Sequence, residues 1–175
     1  MMKNLIINLI EKYQRYKNPI KYWRKKGAKI GNNCEIYSTT NFGSEPFLIS
    51  IGNHVRINMN VQLITHDGGV WVLREYLNDL NSEKIDLFGK ITIGNNVHIG
   101  TNAIIMPNVH IGDNCIIGCG AIVTSNIPDN SIAVGIPARV IENIEEYYEK
   151  NKVRFDYTKK MNNKEKKIYL LKKQK

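Results

Sequence analysis

Six consecutive six-residue units occupy Ile93 to Pro128, and this repeat constrains the fold more than any other feature of the chain. Every unit opens on Ile or Val, and the residue two places before the next opener is again apolar or small. That spacing puts both residues on one face of a strand, whereas a helix does not keep a six-residue period. Between the strands stand residue types that tolerate tight corners, in Gly94-Asn95-Asn96, Gly100-Thr101-Asn102, Gly112-Asp113-Asn114 and Gly118-Cys119-Gly120.

A chain that turns a corner every six residues cannot bury the inner face of a single turn. Successive turns must therefore stack, which predicts an all-β solenoid with an aliphatic interior. The same period is clear from Ile51 to His66 and less regular from Ile30 onward, so about four coils are expected. The two ends of such a stack expose strand edges that need covering. Periodic apolar residues predict an N-terminal helix that Asn18-Pro19 stops, and short polar helices are predicted over 142–150 and 162–172.

These patterns divide the chain into three parts. Residues 1–29 form a basic N-terminal helical segment, and residues 30–141 form the solenoid. An extruded loop over residues 67–90 interrupts the solenoid, and residues 142–175 form a basic helical C-terminal extension.

Residues 93–141, which end in Val134-Gly135-Ile136-Pro137-Ala138-Arg139-Val140-Ile141, resemble the hexapeptide-repeat acyltransferases. That family includes galactoside, maltose, serine and xenobiotic O-acetyltransferases, and the similarity extends over residues 30–142. The resemblance implies a left-handed parallel β-helix, a homotrimer with active sites between subunits, and acetyl-coenzyme A as co-substrate. Spacing alone does not fix the hand of the coil, and the general rule for parallel crossovers favours the opposite hand.

The repeat stops after His66 and resumes at Ile91, and the interval carries the chemistry. Loops of this length in compact domains are usually functional or disordered, and its large apolar residues argue against disorder. We expect it to fold over a neighbouring subunit. In the family a histidine at the start of such a loop is the catalytic base, and the resemblance gives that role to His66. An imidazole titrates near neutral pH, so it can accept the proton of a hydroxyl that attacks a thioester.

The resemblance also implies which residues hold acetyl-coenzyme A. His98 stands where related sugar acetyltransferases often carry Trp beside the pantetheine arm, and Arg139 is expected near the nucleotide phosphates. Related sequences often place Lys where Ser125 stands. The remaining contacts are expected at the coil corners, at Thr101, Gly118, Cys119, Gly120, Thr124 and Ser125.

The acceptor is predicted to be a sugar hydroxyl, because the basic lead-in over residues 18–26 resembles that of acetyltransferases acting on capsule, O-antigen or exopolysaccharide sugars. Trp71 and Tyr76 are candidates to stack on the sugar ring, and Asp67 is a candidate to bind a hydroxyl or orient His66. Plain packing within the loop is the alternative role for these side chains. Direct transfer needs no covalent enzyme intermediate. Two alternatives stay open: a xenobiotic acetyltransferase of the chloramphenicol or streptogramin type, and a structural β-helix without catalysis.

The net charge of +9 is concentrated at the two ends of the chain. Residues 1–29 hold nine Lys or Arg against one Glu, and residues 150–175 hold eleven against two acids. Such basic ends predict either a solvated tail or contact with an anionic membrane that carries lipid-linked sugars. Nucleic-acid binding is not expected, because no aromatic and basic platform or groove-reading motif accompanies the charge.

The three cysteines lie on repeat positions without paired ligand spacing, so neither a disulfide framework nor a metal site is expected. No two histidines stand five residues apart, which also argues against a zinc-dependent carbonic anhydrase. The longest apolar run near the N-terminus is Leu5 to Ile7, too short for a signal peptide or a membrane span. A cytoplasmic protein is therefore predicted.

Overall fold

The structure is a computed structural model that describes residues 2–77, 79 and 81–173. It comprises two compact units, Met1–Ile144 and Glu145–Lys175. Helix α4 (Ile144–Asn151) crosses the boundary in sequence, and helix α5 (Asn163–Lys173) lies in the second unit. No helix in the described part of the chain has the length and apolar character needed to cross a bilayer.

The first unit begins with two helices, α1 (Met2–Lys17) and α2 (Pro19–Lys25). The sequence predicts one helix stopped at Asn18-Pro19, and the chain instead resumes its helix at once. The Asn18 side chain accepts a hydrogen bond from the Lys21 N–H, and Pro19 occupies a first-turn position where its missing N–H is not needed. Trp23 of α2 is buried and stacks on Phe42 with ring centroids 4.6 Å apart, which covers the first coil.

Short strands then form three parallel sheets, which we call faces A, B and C, and the chain visits them in that order. An isolated bridge replaces a strand at two places, Asn41 with Gln62 on face C and Ile127 with Ile111 on face A. Face A has the order β1-β3-β6-β9, face B contains β2-β4-β7-β10-β12, and face C has the order β5-β8-β11. The strands are β1 (Lys29–Ile30), β2 (Glu35–Ile36), β3 (Ile49–Ile51), β4 (Arg56–Ile57), β5 (Gln62–Leu63), β6 (Ile91–Ile93), β7 (His98–Ile99), β8 (Ile104–Ile105), β9 (His110–Ile111), β10 (Ile116–Ile117), β11 (Ile122–Val123) and β12 (Ser131–Val134).

The strand register gives each regular coil eighteen residues. Thr92 pairs with His110 on face A, and His98 pairs with Ile116 on face B, in each case eighteen residues further on. The repeat predicts that successive turns stack, and the register shows that three six-residue sides complete each coil. The residues that open the units point inward and are at most 2% exposed, at Ile93, Ile99, Ile105, Ile111, Ile117 and Val123.

The corners use Asn and Gly in the left-handed region, with Asn114 at φ 54° and Gly120 at φ 69°. The corner between faces A and B adds a ladder of side chains along the coil axis. Asn96 Nδ2 donates to Asn114 Oδ1 at 2.8 Å, and Asn114 Nδ2 donates to Asn130 Oδ1 at 2.9 Å. His54 Nδ1 lies 2.8 Å from Asn96 Oδ1 at the start of this ladder. Each coil is thereby tied to the next at its surface as well as in its core.

Extra residues leave the coil at the edge between faces C and A, which we call edge CA. Ile49 pairs with Ile91, forty-two residues further on rather than eighteen, so the loop adds two dozen residues. Within the loop lie helix α3 (Val70–Leu77) and a 3-10 turn over Ser82–Lys84, neither of which the sequence predicts.

The last coil ends differently from a continued parallel solenoid. Strand β13 (Arg139–Asn143) turns back and pairs antiparallel with β12, with Val134 opposite Arg139. Gly135 permits this reversal because its φ is +95°. The final strand therefore covers the outer edge of face B.

Candidate active site

His66 lies at the base of the loop, where the chain leaves the coil and returns to it. We call this base, residues 65–67 and 87–89, the neck. Its backbone forms an antiparallel bridge with Phe88. Two hydrogen bonds close the neck, from Asp67 N to Leu87 O at 2.8 Å and from Gly89 N to Thr65 O at 2.9 Å. The imidazole therefore stands on a short piece of sheet rather than on a free loop.

The His66 ring packs on the ring of Phe88, with centroids 4.7 Å apart. Its Nε2 atom is buried without a hydrogen bond and lies 3.4 Å from Asp86 Oδ1, slightly longer than a hydrogen bond. The side chain as a whole is 35% exposed. Nδ1 has no hydrogen-bond partner among the described residues either, but unlike Nε2 it is not buried, so it is the nitrogen left open for a substrate.

Asp86 is in turn held by Arg74 of α3. The guanidinium lies 2.5 Å from Asp86 Oδ1, and it also donates to the Ile85 carbonyl at 2.8 Å and 3.0 Å. The buried Ser82 hydroxyl donates to the Arg74 carbonyl, which ties α3 to the returning segment. The loop thus folds on itself and presents a carboxylate to the buried nitrogen of His66.

The coil supports the neck from both sides. Thr65 is buried, and its hydroxyl donates to Glu45 Oε2 at 2.9 Å. A Cβ at Gly89 would lie 2.6 Å from both Asn108 N and Pro107 Cβ, so only glycine allows the neck to approach the next coil this closely.

The residues predicted to bind the acceptor, Asp67, Trp71 and Tyr76, lie in the loop after His66. The Asp67 carboxylate accepts a hydrogen bond from the Gly69 N–H at 2.8 Å, and the carboxylate that faces the His66 ring is that of Asp86. Trp71 and Tyr76 lie on α3 and are 75% and 80% exposed. Five positions apart on a helix, they point in different directions and do not form one platform.

The residues predicted to line the pantetheine arm lie mainly at the edge between faces B and C, which we call edge BC. Thr101 and Cys119 stack there in successive coils, and Gly120 N donates to Thr101 O at 2.8 Å. Cys119 is exposed, and a Cβ at Gly120 would meet no atom within 4 Å, so this edge is open to a ligand. Gly118 has a packing role, because its Cβ would come within 2.8 Å of Val134.

His98 lies on face B, between Arg56 and Ile116 in the neighbouring strands. The His98 side chain is half-buried, and its pKa is lowered chiefly by burial and further by the positive charge of Arg56. A neutral ring is therefore favoured at this position.

The other predicted cofactor residues divide between two edges. Thr124 and Ser125 follow β11 and lie exposed at edge CA. Arg139 is exposed, and its guanidinium donates to the Ala138 carbonyl at 2.9 Å. Ala138 N donates to Ile122 O, which holds the turn before Arg139 at the end of β11 nearest edge BC.

Within the single chain these residues do not form one site. His66 and the loop leave from edge CA, whereas Thr101 and Cys119 lie at edge BC, at the opposite end of face C. No group of three His, Cys, Asp or Glu side chains with metal-binding geometry occurs within residues 2–77, 79 and 81–173.

Sequence analysis missed three residues of this arrangement, Asp86, Arg74 and Phe88. Their partners stand twelve or more positions away across a folded loop, and no spacing in the sequence marks them.

Comparisons with known proteins agree with this architecture. A family model described as "Bacterial transferase hexapeptide (six repeats)" matches residues 90–125. Protein CapG of Staphylococcus aureus is 51% identical over 152 residues, which cover 86% of this chain and 86% of that protein. Galactoside O-acetyltransferase of Escherichia coli (strain K12) is 38% identical over 128 residues, or 72% of this chain and 59% of that protein. The alignment with the solved structure of a maltose O-acetyltransferase from Clostridium difficile 630 covers 73% of this chain and 75% of that protein's chain. The identity is 27% and the TM-score is 0.51.

Proposed function

This chain belongs to the bacterial hexapeptide-repeat transferases and is an acyltransferase, and we propose from this premise that it acetylates a sugar hydroxyl. The acyl donor is acetyl-coenzyme A, and the acceptor is a free or lipid-linked sugar used in capsule, O-antigen or exopolysaccharide synthesis. Two relatives support a sugar acceptor by name, one a galactoside and one a maltose O-acetyltransferase.

The observation that carries the chemistry is the environment of His66. Asp86 faces Nε2 at 3.4 Å and favours the tautomer with the proton on that nitrogen. The lone pair of Nδ1 is then free to act as a general base. Catalytic contacts of this kind are often long in the absence of substrate and tighten when it binds.

The reaction then proceeds by direct transfer. Nδ1 takes the proton of the sugar hydroxyl while the sugar oxygen attacks the thioester carbonyl. As the tetrahedral intermediate collapses, the C–S bond breaks and the imidazolium returns its proton to the departing thiolate. The acetyl ester and free coenzyme A leave, and His66 is neutral again.

We further propose a left-handed coil and a homotrimer, as in the family that the sequence resembles. The separation of edges BC and CA supports the trimer. Edge CA carries His66 and edge BC carries Thr101 and Cys119, so a second copy is needed to bring base and thioester together. The exposed apolar residues of the loop favour the same arrangement, at Trp71, Val72, Leu73, Tyr76, Leu77 and Leu87.

Acetyl-coenzyme A plus a panel of sugars, nucleotide sugars and antibiotics, with free thiol release as readout, tests the function. We expect release with a sugar acceptor above the rate without acceptor. Release with antibiotics alone would overturn the sugar assignment in favour of a xenobiotic acetyltransferase. That alternative has one supporting observation, since the exposed Trp71 ring also suits a flat apolar acceptor. No release with any acceptor, together with no binding of coenzyme A, would identify a structural β-helix.

Alkylation of the three cysteines tests the cofactor edge separately. Cys119 is exposed and Cys115 is buried, and burial raises the pKa of the Cys115 thiol. We expect coenzyme A to slow the alkylation of Cys119, while that of the partly exposed Cys34 is unchanged. Equal rates at Cys119 with and without coenzyme A would contradict a pantetheine site at edge BC.

A further inference from the structure

Helix α1 is oriented in the opposite way from an ordinary surface helix, whose apolar stripe faces the core. Its polar side faces the coil, where the Arg15 guanidinium donates to the carbonyls of Ser38 at 2.8 Å and Thr40 at 3.0 Å. Tyr13 lies on the other side of the helix and is 61% exposed. Leu9 and Ile10 are 59% and 50% exposed.

Lysines border this apolar face. Lys17, Lys21 and Lys25 follow one another at intervals of four along α1 and α2, and they line an open groove of about 470 Å³ with Tyr13 and Tyr22. None of the three forms an ion pair among the described residues, whereas neighbouring Lys26 is paired with Glu11 at 2.7 Å. Lys17 Nζ lies 5.8 Å from the centroid of the Tyr13 ring.

We propose that the outer face of α1 and α2, defined by Leu9, Ile10, Tyr13 and Lys17, Lys21, Lys25, binds the surface of an anionic lipid bilayer. Aliphatic and tyrosine side chains enter the interface between headgroups and acyl chains, while lysines contact lipid phosphates. This assignment does not depend on the acyl transfer reaction.

The charge distinguishes this occupant from a second copy of the chain. Residues 1–29 carry nine basic side chains against one Glu, so two copies packed through this face would bring like charges together. An anionic bilayer instead matches the unpaired lysines and also supplies an apolar layer. A free polyanion would neutralise the lysines but would leave Leu9 and Ile10 in water.

Cosedimentation of the full chain with vesicles tests the assignment, comparing phosphatidylcholine alone with phosphatidylcholine mixed with phosphatidylglycerol at physiological salt. We expect binding only to the mixed vesicles. The triple variant Lys17→Gln, Lys21→Gln, Lys25→Gln removes three charges and keeps good helix formers. Its affinity for mixed vesicles should fall by about a hundredfold.

A matched variant separates the face from general charge. Lys164→Gln, Lys166→Gln and Lys167→Gln remove the same charge from α5 and should change affinity by less than about threefold. Equal losses in both variants, or no binding by the unmodified protein, would overturn the proposal.

A third variant, Leu9→Gln, Ile10→Gln, Tyr13→Gln, should also lose vesicle binding. If it keeps that binding, these apolar side chains do not enter the bilayer and the proposal fails. A mass by light scattering that differs from that of the unmodified protein would then show that a second copy covers this face. Hydrogen exchange of the unmodified protein gives an independent measurement, since mixed vesicles should protect residues 9–25 and leave 91–123 unchanged. Absence of that protection would count against the membrane surface.

Discussion

The regular coils over residues 91–123 and the loop over residues 67–90 use apolar residues in opposite ways. In the coils, Ile99, Ile105 and Ile117 are fully buried. In the loop, Trp71 and Tyr76 are at least three-quarters exposed. The coils are held by contacts that repeat every eighteen residues, whereas the loop is held by individual contacts such as that of Arg74 with Asp86.

This difference separates the scaffold from the chemistry. An inward coil residue such as Ile105 contributes mainly to stability, because it packs between equivalent residues of the coils above and below. A loop residue has no equivalent, so its loss should affect the reaction more than the fold. A substitution in the core of the coil should therefore lower stability more than turnover. A substitution at the site in the loop should lower turnover more than stability.

The largest expected effect is on turnover, from the loop. We expect His66→Ala to lower kcat by about a hundred- to ten-thousandfold, because the proposed general base is lost. The thermal unfolding midpoint should stay close to that of the parent, since the ring is one-third exposed. Thiol release with the best acceptor and a thermal melt measure the two quantities. His110→Ala, which alters an exposed histidine of face A, is the control and should retain activity. Near-normal turnover in His66→Ala would remove the assigned role.

The next effect is on stability, from the coil. Ile105→Ala empties a fully buried position on face C and should lower the free energy of unfolding by about 3 kcal/mol. Leu73→Ala in the loop, at a residue 44% exposed, should cost less than about 0.5 kcal/mol. Denaturant unfolding at one protein concentration compares them. Similar costs would mean that another protomer buries the loop as deeply as the coil buries its core.

Two substitutions at Asn114 examine the surface ladder of the coil. Asn114→Ala loses the hydrogen bonds to Asn96 and Asn130 and keeps a side chain at φ 54°, so we expect a loss of about 2 kcal/mol. Asn114→Gly loses the same bonds but is relaxed at positive φ, and about 1 kcal/mol is expected. The difference between the two variants measures the cost of the backbone conformation. If the two are equally stable, the corner conformation is not strained for alanine.

The smaller of the two effects on turnover concerns Asp86, the residue proposed to position His66. Asp86→Asn should lower kcat on the order of tenfold, a fraction of the His66 effect, because it weakens the preference for one imidazole tautomer. The KM for acetyl-coenzyme A should not change. Glu83→Gln, at an exposed acid of the same loop, is the matched control. A change in KM without a change in kcat would show that Asp86 contributes to binding instead.

The sequence predicts the coil because the coil is local and periodic. Each corner places an Asn or Gly within a few residues of an inward Ile, so a short window of sequence is enough to predict the corner and the strand beside it. The same reasoning fails where packing decides. No residue near Pro19 indicates that a second helix follows at once. No residue near Gly135 indicates that the last strand turns back.

The candidate site divides in the same way. His66 is identified from the sequence because it stands where the period breaks and where a family pattern applies. Asp86 and Phe88 are not, because their approach to the ring depends on how twenty intervening residues fold. Helix α3 belongs to the same class, since the sequence marks its apolar residues without fixing what they contact.

Both irregular segments of the solenoid, residues 43–48 and the loop, depart from edge CA, and the closed neck returns the chain to face A in register. Edge CA therefore tolerates segments of different length and composition, because the coil continues in the same register after them. Exchange of one such segment would leave the rest of the frame constant. Pro107 and Asn108, at the same edge one coil further on, pack directly against Gly89 of the neck, so an insertion there would displace the neck.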